Sequence, residues 1–115
     1  MIRIKRVYDA IEKEDGYRVL VDRLWPRGVT KQKAQLDAWE KEIAPSTQLR
    51  EDFHRGMSEE EFRNDYTKEL LHNDEFPIWK KQILEQEKKS NVTLITSIKL
   101  LPGNHLQILK EFLEK

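Results

Sequence analysis

The chain contains no cysteine. That excludes thiolate nucleophiles, cysteine-ligated zinc and disulfides together, and it suits a reducing compartment. Glycine and proline are scarce, with four of each in 115 residues. No linker, repeat or low-complexity tract divides the chain, so one domain over residues 1–115 is expected. An excess of charge of one sign is missing too. Lys plus Arg and Asp plus Glu number 21 each, whereas a dedicated nucleic-acid binder usually carries a basic surplus. The apolar runs are too short to span a bilayer, and the opening MIRIKRVYDAIEKEDG has no apolar core of the kind a secretory signal needs. These absences point to a cytoplasmic protein with no membrane association.

Catalytic signatures are lacking as well. There is no serine elbow, no phosphate-binding P-loop and no dinucleotide glycine pattern. His54, His72 and His105 show no metal-ligand spacing, so neither a metal nor another cofactor is expected. Glu59, Glu60 and Glu61 read as the dipole-favoured first turn of a helix rather than a general acid/base set.

What is present is an ordered alternation of strand and helix signals. Ile2 to Tyr8 alternates apolar and polar residues, as in a strand with one wet face. Asp15-Gly16 is a turn signal. Tyr17 to Leu24 contains Val19, Leu20 and Val21 in succession, the pattern of a strand covered on both faces. Thr30 can cap a short helix over Lys31–Gln35, and Leu36–Ile43 reads as a further strand. Ser46 caps a helix bearing Leu49 and Phe53. Ser58 and Glu61 form a capping box before the stripe Phe62, Tyr66, Leu70. Pro77 suits the first turn of a third helix, with Trp79 and Ile83 on its buried face. VTLITSI, residues 92–98, is rich in β-branched residues and predicts a strand. Asn104 and Gln107 cap the last helix, whose inner face carries Leu106, Leu109, Phe112 and Leu113. The expected fold is α/β, a layered α/β/α domain with a small mixed or partly parallel sheet of about four strands.

One stretch does not fit a purely structural account. VDRLWPRG, residues 21–28, places an aspartate and two arginines at the end of a core strand. In open α/β sheets, ligands bind outside the carboxyl ends of the strands. From Arg23 to Lys33 there are four basic residues (Arg23, Arg27, Lys31, Lys33) and no acid. Arginine's planar fork of donors suits carboxylate or phosphate. Gly28 allows close backbone approach, and Trp25 offers a stacking face. The competing reading makes Asp22 an internal ion-pair partner, Trp25 a core plug and Pro26-Arg27-Gly28 a tight turn. A second cluster, Thr96, Ser97, Lys99, Asn104 and His105, lies where the last strand meets the last helix. If the two strands run side by side in parallel, the two clusters meet in one pocket. The candidate ligand-binding set is therefore Asp22, Arg23, Trp25, Arg27, Gly28, Lys99 and Asn104.

The run GYRVLVDRLWPRG over residues 16–28 resembles the signature of the YeaO-like family, domain of unknown function 488. So do Leu36-Asp37-Ala38-Trp39, Ala44-Pro45-Ser46 with Leu49-Arg50 and Phe53, and the series Phe62, Tyr66, Leu70. The resemblance runs from Tyr8 to Phe112. It implies a small bacterial or archaeal protein of a family without an established activity, with Asp22, Arg23, Trp25, Pro26, Arg27 and Gly28 as its functional surface. Some members are labelled as associated with MarR-type regulators, but nothing here resembles a winged helix. Members commonly carry a Lys-Asp pair followed three residues later by His-Asn. Lys99 and Asn104 match that pattern, whereas Leu100 and Gly103 stand at the aspartate and histidine positions, and His105 lies one place late.

Three functions follow as expectations. The first is a cytosolic domain that binds a small anion, phosphate- or nucleotide-like, through the DRLWPRG loop. The second is a protein-interaction module, a homodimer whose contact uses exposed aromatics such as Trp39 or Trp79. The third, a regulator-associated or nucleic-acid-binding protein, is disfavoured by the zero net charge.

Overall fold

The computed structural model describes residues 1–115. Four strands form one sheet: β1 (Ile2–Arg6), β2 (Tyr17–Leu20), β3 (Ala38–Trp39) and β4 (Val92–Thr96), in the order β1-β4-β2-β3. Every pairing is parallel, so of the two sheet types expected, the mixed one drops out. β4 is buried at all five positions, as a central strand covered on both faces must be. The segment 36–43 gives only a two-residue strand, followed by a 3-10 turn at Lys41–Ile43.

One face of the sheet is covered by α2 (Thr47–His54), α3 (Glu59–Leu71), α4 (Glu75–Glu87) and α5 (His105–Leu113). Each buries the stripe that its spacing dictates. Phe62, Tyr66 and Leu70 of α3 and Leu106 and Leu109 of α5 join Val19, Val21, Val92 and Leu94 in the main core. Sequence-coded caps set the starts: the side chains of Ser46, Ser58 and Asn104 accept from the amides of Leu49, Glu61 and Gln107. Trp79 is 4% exposed and lies in this core. The expectation that it stands exposed for a dimer contact is therefore wrong, because its spacing from Phe76 and Ile83 puts it on the buried face of α4. Trp39 is half-buried against Trp25.

The second face has a thinner cover, consisting of α1 (Lys31–Ala34) and a 3-10 turn at Lys13–Asp15. Towards the carboxyl end this face is apolar, with Val7, Leu20, Ala34 and Ile95 packed by Trp25 and Trp39. Towards the amino end it is ionic. Lys5 Nζ lies 3.0 Å from Asp15, and Arg18 Nη1 lies 2.6 Å from the same carboxylate. Arg18 also donates to the carbonyls of Ala34 (2.9 Å) and Gln35 (3.1 Å). The face of β1 expected to be wet is thus a buried charge network, since Lys5, Asp15 and Arg18 all lie below 9% exposure.

Candidate anion site at the carboxyl end of the sheet

Asp22 lies two residues beyond β2. Leu20 pairs with Ile95 in parallel register, and continuing that register sets Asp22 beside Ser97. The carboxylate accepts from Thr96 Oγ1 (2.6 Å) and from the amide and hydroxyl of Ser97 (2.8 Å each). His105, in the first turn of α5, brings Nε2 to 2.7 Å from the Val21 carbonyl and 3.6 Å from Asp22 Oδ1. A carbonyl only accepts, so Nε2 carries a proton. Burial pushes the Asp22 carboxyl up, but His105, Thr96 and the Ser97 amide more than offset this and hold it below the usual carboxylate range. A carboxylate so held is a poor general base at neutral pH.

Arg23 crosses to the connection between β3 and α2. Its Nε and Nη2 donate to the carbonyls of Pro45 (3.2 Å) and Ala44 (3.1 Å), and Nη1 reaches the exposed Glu42 at 3.4 Å. Ser46 begins α2 and is fixed in turn by Glu69, which accepts from its amide (2.9 Å) and hydroxyl (2.6 Å). These contacts set the direction of α2, and Arg50 on that helix lines one pocket together with Arg23. Arg50 is exposed, and no carboxylate lies within ion-pair distance of it. Phe53 and Phe62, stacked at 4.2 Å, form an apolar wall with Ile98. The pocket is small, about 30 Å³, which is room for roughly one carboxylate-sized group or two waters.

On the far side of Arg23 lies a larger cleft of about 440 Å³ lined by Glu42, Glu69, Asp74 and Glu75. Its charge repels anions, so Arg23 divides an acidic cleft from the pocket that carries Arg50.

The parallel pairing of β2 and β4 brings the two sequence clusters together, with Asp22 and Arg23 from the first and His105 from the second on the pocket wall. The remaining candidates lie outside that wall. Trp25 donates from Nε1 to the Val29 carbonyl (2.6 Å) and packs edge-on against Trp39 at 5.2 Å. Trp39 in turn donates to the Asp22 carbonyl (2.7 Å). Arg27 and Gly28 are exposed in the following turn, and Lys99 is exposed beyond β4. Asn104 is buried as the cap of α5, with Nδ2 donating to the Leu101 carbonyl at 2.7 Å. Leu100 and Gly103 sit in the loop between β4 and α5. Gly103 has a φ of +76°, which any other side chain rarely adopts. Sequence reasoning missed Arg50, Phe53, Phe62 and Ile98 as pocket residues. Only Arg50 and Phe53 share a local signal, the Ser46 cap that fixes where α2 begins; Phe62 and Ile98 come from α3 and from the segment after β4.

With this geometry in view, comparison with known proteins places the chain in a class. It belongs to a YeaO-like family of unknown function: the model of the "Inactive DUF488-N3 subclade" matches residues 1–115. Among individual relatives, the uncharacterised protein YeaO of Escherichia coli is 44% identical over 113 residues, covering 97% of this chain and 96% of that one. Uncharacterised proteins of Mycobacterium tuberculosis and Mycobacterium bovis are 34% identical over 113 residues, covering 97% of this chain and 92% of theirs. No solved structure matches.

Proposed function

We propose that this chain is a non-catalytic cytosolic domain that binds a small anion at the carboxyl end of its sheet. The reading rests on Arg50, a guanidinium without a carboxylate partner, held beside Arg23 over the pocket. Arginine pairs recognise carboxylate and phosphate through geometry as well as charge. The DRLWPRG loop contributes Asp22 and Arg23 to the lining, and Arg27 and Lys99 lie on the exposed loops that follow β2 and β4. Binding without catalysis agrees with three observations: the donors around Asp22, the commitment of His105 Nε2 to a carbonyl, and a family description that carries the word inactive.

The test is thermal unfolding of the protein in the presence of acetate, phosphate and sulfate, matched for ionic strength with chloride. A ligand at one hundred times its Kd stabilises by about 2.7 kcal/mol. The expected result is a rise in Tm that Arg50→Ala abolishes. No rise with any of these anions contradicts the reading.

A further inference from the structure

The pocket is too small for a nucleobase or a sugar, yet its surroundings are not purely polar. Leu24 is 67% exposed in the loop after β2, and Leu101 is 56% and Leu100 37% exposed in the loop after β4. These loops leave neighbouring parallel strands at the same edge, and they also carry the pocket residues Arg23 and Ile98. Three of the eight large apolar side chains exposed on the whole molecule therefore belong to the two loops beside the pocket. Exposed apolar groups close to unpaired cations mark a surface made to be covered.

We infer that the occupant is a polypeptide segment, an acidic peptide of a partner protein that places one carboxylate between Arg23 and Arg50 and lays leucine-sized side chains over Leu24, Leu100 and Leu101. This deepens the anion-site proposal above and rests on it. Charge complementarity decides the sign of the partner. Arg50 lines the pocket and Lys99 follows the pocket residue Ile98, both exposed without a carboxylate within ion-pair distance, and Asp22 is buried among its donors. Size decides the anion, since about 30 Å³ accepts a carboxylate tip. The apolar rim decides against nucleic acid. Single-stranded nucleic acid is held by aromatic stacking platforms, whereas Trp25 and Trp39 are packed together on the second face with their indole N–H groups donating to carbonyls.

The experiment is fluorescence anisotropy with three dye-labelled probes on the intact protein. The first is a short peptide alternating leucine and glutamate, the second the same peptide with serine for leucine, and the third a single-stranded oligonucleotide of similar charge. The peptide with leucine is expected to bind, the serine peptide about tenfold more weakly, and Arg50→Ala to weaken the leucine peptide about tenfold, a change of about 1.4 kcal/mol. Leu101→Ser is expected to narrow the gap between the two peptides. Equal binding of both peptides overturns the apolar partner while leaving the anion site standing. Tighter binding of the oligonucleotide overturns it in favour of nucleic acid. If no probe binds but acetate still raises the Tm, the peptide inference falls alone; if acetate also fails, both fall.

Discussion

The two ends of the sheet handle charge in opposite ways. At the amino end, Lys5, Asp15 and Arg18 are buried and close on one another: Asp15 takes both buried cations and the partly exposed Arg3, and Arg18 fills its remaining donors with the carbonyls of Ala34 and Gln35. At the carboxyl end, Asp22 is equally well satisfied, but the cations beside it are not neutralised by it. Arg23 turns to two carbonyls and an exposed glutamate, and Arg50 has no carboxylate within ion-pair distance. A closed network locks a turn against the sheet and leaves nothing to bind with. An open one keeps donors facing solvent, where a ligand's charge can replace water. The same residue types therefore do structural work at one end and are available for recognition at the other.

The contrast breaks most sharply at Asp15. Replacing it by asparagine leaves Arg18 buried without a counter-charge and Lys5 with only the half-exposed Glu12 at 3.1 Å, and removing one partner of such a network destabilises by about 3–5 kcal/mol. Urea denaturation of Asp15→Asn checks this, and a loss below about 1 kcal/mol would mean that the network behaves like a surface pair. The pH dependence sharpens the point. Burial pushes Asp15 up, but Lys5, the Glu12 amide and Arg18 bring it below its ordinary 3.8, and Asp22 is also held below 3.8. Each contributes stability that is present above the unfolded value and lost as pH falls through the folded one. Lys5 is raised above 10.5 despite its burial, so its share is present below that value and lost as pH rises through the folded one. Tm is expected to be flat through neutral pH and to fall on acidification, less steeply in Asp15→Asn.

The glycines repeat the comparison at smaller scale. Gly16, beside the closed network, has a φ of +63°, and a Cβ there would lie 2.1 Å from the Asn91 carbonyl oxygen. Gly28, in the open loop, has a φ of +78° with nothing within 4 Å. Gly16→Ala is expected to lose about 2–4 kcal/mol, from strain and clash together, and Gly28→Ala about 1 kcal/mol, from strain alone. Equal losses would show that the two turns are equally confined. Smallest of all is Arg50→Ala, which should change stability by less than about 0.5 kcal/mol. A larger loss would mean that Arg50 supports the fold and is not free for a ligand.

How much of this was legible in the sequence depended on whether the signal was local. Ser46, Ser58 and Asn104 announced the helix starts because a cap acts within one turn. The β-branched run 92–98 announced a strand, and the meeting of the two clusters followed once parallel pairing was assumed, whereas the register that sets Asp22 beside Ser97 came from the folded sheet. Asp15 was hidden because Asp-Gly reads first as a turn, Arg3 and Lys5 read as a wet strand face, and Arg18 sits in a run whose apolar neighbours read as a strand covered on both faces. Only the folded sheet shows them converging on one carboxylate. Arg50 was hidden for a related reason. Its neighbours Arg23, Phe62 and Ile98 come from three other segments, so no spacing in the chain records their meeting.

The most direct measurement is an amide and arginine-side-chain NMR titration with acetate and phosphate. Saturable shifts are expected at Arg23 and Arg50 Nε and at the amides of Ser97 and Ile98, with Asp15 and Arg18 unmoved. Shifts spread evenly over surface lysines, or none at Arg50, would contradict the anion site.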